Sequence, residues 1–119
     1  MQRKIPLNRV RTERRRWALT QKEVALLLGF ESRTPVSRIE QGKRVPNLET
    51  ALALEVLFGV APRTLFPQVF GEIEEQVMRQ ALMLYEATLQ SSKPRQKRKR
   101  ELLELALKRA TKANDNAGV

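Results

Sequence analysis

The stretch SRTPVSRIEQGKRVP, residues 32–46, carries the side chains with most to offer a partner. Thr34, Ser37, Arg38 and Gln41 recur at spacings that put them on one side of a helix turning about 100° per residue, with Arg33 at its N-terminal shoulder. Val36 and Ile39 fall on the opposite side. A helix of this kind buries two aliphatic residues and turns hydroxyls, an amide and guanidinium groups outward. That is the chemistry of recognition by hydrogen bonds: a guanidinium presents a rigid fork of donors, and a hydroxyl both donates and accepts. Lys43 and Arg44 follow Gly42 and add positive charge just beyond the helix.

These residues do not make a catalytic set. The chain has no His and no Cys, which removes the commonest general base and metal ligand together with thiolate sites and disulfides. The paired acids Glu74/Glu75 and Glu101/Glu104 have no partner nucleophile and read as solvated helix surface. No enzymatic activity, cofactor or metal is expected. The 119 residues carry 23 Lys+Arg against 13 Asp+Glu, a net charge of +10, and such a surface attracts polyanions. Nucleic acid is the commonest partner of so basic a compact chain, and aromatics at 5% give little platform for stacking single-stranded bases. MQRKIPLNRV lacks the apolar stretch of a signal peptide, and no run of about 18 apolar residues occurs, so cytoplasm is the expected location.

The outward-facing helix needs neighbours to hold it. Leu7, Val10 and Trp17 give a first helix one buried stripe among arginines. Thr20-Gln-Lys-Glu23 is a capping box, which opens a second helix of about two turns that Gly29 ends. The third helix runs from near Ser32 to Gly42, although Pro35 also suits a start after a Thr34 cap, which would take Arg33 off the helix. Asn47 caps a fourth, in which Leu48, Ala51, Leu52, Leu54, Leu57 and Phe58 supply apolar contacts until Gly59. The turn APRTLFP closes this part.

Residues 71–90 form a fifth helix with two apolar stripes, Ile73-Val77-Ala81-Leu84 and Met78-Leu82-Tyr85-Leu89. After SSKP a last helix from about Arg95 to Lys112 buries at best Leu102, Leu103, Ala106, Leu107 and Ala110. Trp17 and Tyr85 are expected as core residues. Charge divides along the chain: residues 1–66 carry 13 bases and 6 acids, residues 67–90 carry 1 and 4, and residues 91–119 carry 9 and 3. The expected organisation is therefore a basic first domain over 1–67, a C-terminal helical extension for packing or dimerisation over 68–113 with a basic linker at 91–100, and a disordered tail at 114–119.

Two short helices joined by a tight turn, the second with a polar outward face, make a helix-turn-helix, and an α-helix fits the major groove of B-DNA. Lys43 and Arg44 would then lie near phosphates and hold the register. From about Leu7 to Phe66 the chain resembles the lambda-repressor/Cro-like group, the Xre-type regulators, through LNRVRTERRR, LTQKEVALLLG, VSRIEQGKRVPNLETALAL and FGVAPRTLF. The resemblance implies an all-α fold of about five short helices plus the extension. It implies that Arg33, Thr34, Ser37 and Arg38 read bases, and that Gln21, Gln41, Lys43 and Arg44 lie against the sugar-phosphate backbone. Glu40 matches a position usually Glu in that group, for which a local ion pair or cap is the plain reading.

The chain departs from the group's pattern in three ways, one of them Pro35 at the start of the third helix. It is one residue longer between Gly29 and Glu40, and Leu26, Leu27, Ala53 and Val56 stand where the group usually has polar side chains. The wide face of residues 71–90, from the same chain or from a partner, is expected to cover them. Lys97, Arg98, Lys99 and Arg100 are either further phosphate contacts or a solvated hinge, and Arg14-Arg15-Arg16 favours the helix dipole whether or not it meets phosphate. The expected function is a homodimeric repressor that binds double-stranded DNA sequence-specifically. The alternative is an antitoxin-like or bridging protein whose C-terminal helices hold another protein, with DNA binding secondary.

Overall fold

The computed structural model describes residues 8–117, with side chains described as far as Lys112. Among the described residues there are seven helices and no strand: α1 (Val10–Arg16), α2 (Gln21–Leu28), α3 (Thr34–Glu40), α4 (Leu48–Phe58), α5 (Pro62–Leu65), α6 (Pro67–Thr88) and α7 (Pro94–Ala117). They group into two compact units that divide between Phe70 and Gly71. None of these helices is long and apolar enough to cross a membrane. Leu7, expected in the first buried stripe, lies outside the described residues.

Local chemistry sets the boundaries of the first unit. Thr20 Oγ1 accepts from the Glu23 N–H at 3.0 Å while Glu23 Oε1 accepts from the Thr20 N–H at 2.8 Å, so both ends of the capping box are closed. Asn47 Oδ1 accepts from the Thr50 N–H at 2.9 Å and opens α4. Gly29 adopts a φ of +83°, a left-handed conformation that ends α2 at little steric cost. Thr20→Ala is expected to lower stability by about 0.5–2 kcal/mol, read as a lower denaturant midpoint at unchanged slope. An unchanged midpoint would mean that the box contributes nothing.

The core of this unit is two joined clusters. Val10, Ile39, Leu54, Leu65 and Phe66 form one and Val24, Ala25 and Val36 the other, with half-buried Leu28 and Phe58 packed against both. Full burial of a Val, Leu or Ile side chain contributes about 1.5–3 kcal/mol, so Val36 and Ile39 anchor α3 firmly by its inner face. Asn8 is buried as well: its Nδ2 donates to the Ile39 carbonyl at 2.8 Å and its Oδ1 accepts from the Val10 N–H at 3.1 Å. That side chain therefore ties the start of α1 to the end of α3.

Several packing expectations are corrected. Trp17 is exposed, because α1 ends at Arg16 and the chain leaves the helical path through Ala18 at φ +60°, so helical spacing no longer sets its side. The Arg16 guanidinium lies 5.4 Å from the ring centroid instead. Leu48 and Leu52 are exposed too. With Val56 they occur every fourth residue on the side of α4 away from Leu54, since that helix is apolar nearly all round and buries only one side. Leu26 and Leu27 also remain exposed.

α6 starts at Pro67, within the first unit, rather than at residue 71, because proline suits a first helical position, where no N–H partner is required. α7 begins at Pro94, so most of the basic segment 91–100 is helical, and its backbone continues to Ala117, into the segment expected as a tail. Tyr85 is half-buried and donates its hydroxyl to Glu104 Oε1 at 3.1 Å. That hydrogen bond and the carboxylate's charge raise the phenol pKa above its usual value. Leu102 is exposed rather than buried.

Candidate nucleic-acid interface

The outward side of α3 is built by what happens on its inner side. With Val36 and Ile39 only 1% exposed, the helix cannot roll without opening the core, and Thr34, Arg38 and Gln41 stand in solvent. Ser37 is half-buried at the margin, and its Oγ accepts from Gln41 Nε2 at 3.0 Å, which leaves the hydroxyl proton to donate. Arg33 occupies the N-cap position, exposed, with Thr34 and Pro35 as the first two helical residues. Both Arg33 and Thr34 thus sit at the helix start, a little later than the expected beginning near Ser32.

Beyond α3 the chain turns sharply. Gly42, at φ +74°, donates to the Ile39 carbonyl at 3.0 Å, and the Lys43 N–H donates to the Arg38 carbonyl at 2.9 Å. Both cations are thereby delivered within a turn of Arg38. Lys43 is exposed, and the Arg44 guanidinium lies 5.8 Å from the centroid of the Phe30 ring, an attraction that helps fix its stem. A shallow hollow lined by Arg14, Leu19, Thr20, Gln21, Lys22 and Arg33 joins the beginnings of α2 and α3.

Gln21 has a structural partner that sequence alone does not name. Glu40 is the hub of a clamp: Oε2 accepts from Arg14 Nε at 2.6 Å, and Oε1 accepts from Arg14 Nη2 at 3.2 Å and from Gln21 Nε2 at 3.1 Å. Arg14 Nη1 also donates to the Leu19 carbonyl at 2.9 Å. The side chains of Arg14 and Glu40 are only 13% and 3% exposed, so the pair is desolvated and its hydrogen-bond geometry matters. Arg14 therefore acts inside the fold, unlike its exposed neighbours Arg15 and Arg16. The clamp links α1, the start of α2 and the end of α3, fixing the angle between the two helices of the motif.

A family model described as Helix-turn-helix matches residues 11–65, which span α1 to α5. The chain carries a helix-turn-helix domain of the Xre/Cro type. Neither the curated proteins nor the solved structures give a match. The Xre/Cro-type domain implies DNA binding and a place in transcriptional regulation, in a family typically without catalysis. Within it lie the eight side chains from Gln21 to Arg44 that the sequence singles out. Lys97, Arg98, Lys99 and Arg100 belong to α7 in the other unit; the first three are exposed, whereas Arg100 donates to the Ser91 carbonyl at 2.8 Å.

Two contributors escape sequence reading. Asn8 sits in a short polar stretch with no periodic signal, and Arg14 is one of three consecutive arginines of which only packing selects the inward one. The local ion pair or cap expected for Glu40 is corrected: its carboxylate is held by Arg14 and Gln21, 26 and 19 residues away in the chain.

Proposed function

We propose that the chain is a sequence-specific regulator of transcription, a homodimeric repressor that inserts the helix over residues 33–41 into the major groove of double-stranded DNA. The observation that carries this reading is the two-sidedness of α3: Val36 and Ile39 are sealed in the core while Thr34 and Arg38 stand outside, with Lys43 and Arg44 close behind. In the groove Arg38 forks to guanine O6 and N7, Ser37 and Thr34 bond base edges or touch a thymine methyl, and Arg33 reads from the helix start. Gln21, Gln41, Lys43 and Arg44 contact phosphates and set the register.

One such motif reads only a few base pairs, so useful affinity calls for two copies on half-sites about 34–36 Å apart or a multiple of that. A bound dimer represses by occluding polymerase without further parts. Arg38→Ala is expected to weaken specific binding by about 1–3 kcal/mol and relax preference at one base pair, whereas Lys43→Ala weakens all duplexes alike. Gel retardation on specific and random duplexes distinguishes them, and equal losses on both for Arg38→Ala would remove its base-reading role. The exposed Leu26, Leu27 and Val56 favour a second reading, a bridging or antitoxin-like protein that holds another chain; it predicts a protein that aggregates alone and is rescued by a co-expressed partner.

A further inference from the structure

The second unit lacks a core of its own. Among its described residues only Ala81 and Thr88 are buried, and neither is a large aliphatic side chain. A helical unit this small usually needs a staple or an oligomeric partner. Its two helices are joined by the Tyr85–Glu104 hydrogen bond, and Met78 on α6 and Leu103 and Leu107 on α7 are half-buried.

Each helix also leaves an apolar edge in solvent, on α7 the side turned away from Leu103 and Leu107, and the two edges are oppositely charged. On α6, Leu82 is about half exposed and lies about 60° or less round from Tyr85 and Met78, bordered by Glu75 and Glu86, and Leu89, similarly exposed, follows directly on the helix end at Thr88. On α7, Leu102 and Leu105 are more than half exposed and border Arg98 and Arg109. The whole helices repeat the contrast, with four acids and one base in α6 against eight bases and three acids in α7.

We propose that a second copy of this chain covers these edges, with Leu82 and Leu89 of one copy against Leu102 and Leu105 of the other, twice by symmetry. Glu75 and Glu86 then face Arg98 and Arg109 of the second copy. A two-fold interface requires that the patch and its complement lie on one chain, and here they do. An anionic membrane would suit the α7 edge and repel the α6 edge. Each α7 has α6 of its own chain on one side and α6 of the second copy on the other, giving an assembly of four helices. The inference rests on the reading of the chain as a dimeric regulator and names the surface that dimerises it.

The test uses the full chain with charges reversed on either edge. Glu75→Lys with Glu86→Lys gives one variant and Arg98→Glu with Arg109→Glu the other. All four positions are exposed, and the exposed Glu75–Arg79 pair is worth little, so both variants fold; circular dichroism checks this. Sedimentation equilibrium without DNA is expected to show a wild-type dimer and self-association weakened at least about tenfold in each variant alone. Mixed one to one, the variants are expected to form a heterodimer near wild-type strength, because opposite charges meet again only between chains. Pairing within one chain predicts no rescue. A monomeric wild type, unweakened variants or an absent rescue would overturn the proposal. DNA preference is read separately: a rescued heterodimer that prefers no duplex leaves this surface standing and removes the regulator reading.

Discussion

Glu40→Ala is expected to destabilise the first unit by about 3–5 kcal/mol, a large part of the total stability of a small domain. The substitution removes three accepted hydrogen bonds and leaves the Arg14 guanidinium, 13% exposed, without its counter-ion. Gln21 loses its acceptor in the same step. Glu40→Gln keeps one acceptor oxygen and the shape but no charge, so its cost falls between wild type and Glu40→Ala. The control is the pair Arg79–Glu75, which has a similar bond length of 3.0 Å but side chains 63% and 73% exposed. Breaking it with Glu75→Ala is expected to cost no more than about 0.5 kcal/mol, because solvent screens the charges and already hydrates both groups. Denaturant unfolding followed by circular dichroism, with Trp17 fluorescence as the reporter of the first unit, checks both. Equal small losses would show that the clamp holds nothing.

The second large effect is on affinity. If a dimer places Lys43, Arg44 and one further cation per copy against phosphates, about six counterions are released and log K falls with log salt at a slope near −5. Affinity then drops about a thousandfold between 50 and 200 mM salt. Lys43→Ala, which removes two of these contacts from a dimer, is expected to reduce the slope by about 2. The same titration separates the roles of the basic tract on α7. Lys97 and Lys99 are exposed, and replacing them flattens the slope only if they reach phosphate; Arg100 is occupied by the Ser91 carbonyl and contributes least. A slope that Lys43→Ala leaves unchanged would contradict the placement of that residue on the backbone.

What could be read from sequence was what short-range chemistry decides. Thr20 with Glu23, Asn47, Gly29 and Gly59 announce helix ends because the partners of each cap lie within a few residues. Val36 and Ile39 could be read as an inner face because α3 is short and each side has its own residue types. Where the answer depends on residues far away in the chain, sequence gave less. The Arg14–Glu40 pair spans 26 residues, and nothing local distinguishes Arg14 from Arg15 or Arg16. Leu48, Leu52 and Leu54 look alike in α4, yet only the side turned to Ile39 and Leu65 is buried. Trp17 keeps a helical spacing from Val10 that the end of α1 makes irrelevant.

The clamp and the outward face are parts of one device. Arg14, Gln21 and Glu40 hold the two helices of the motif at a fixed angle, and the buried pair on α3 fixes its roll. Position and rotation of the reading side chains are then set before any partner arrives, so little conformational entropy is lost on binding. Asn8 adds a third restraint at the Ile39 carbonyl, close to the point where the chain turns toward Lys43.

Selection of bound fragments from random duplex DNA by the purified full chain tests the central claim most directly. The account predicts an enriched two-fold symmetric sequence with half-sites about 34–36 Å apart or a multiple of that, and loss of preference at one position of each half-site when Arg38 is replaced by alanine. Retention of duplexes with no enriched sequence, or an enriched sequence indifferent to Arg38, would contradict it.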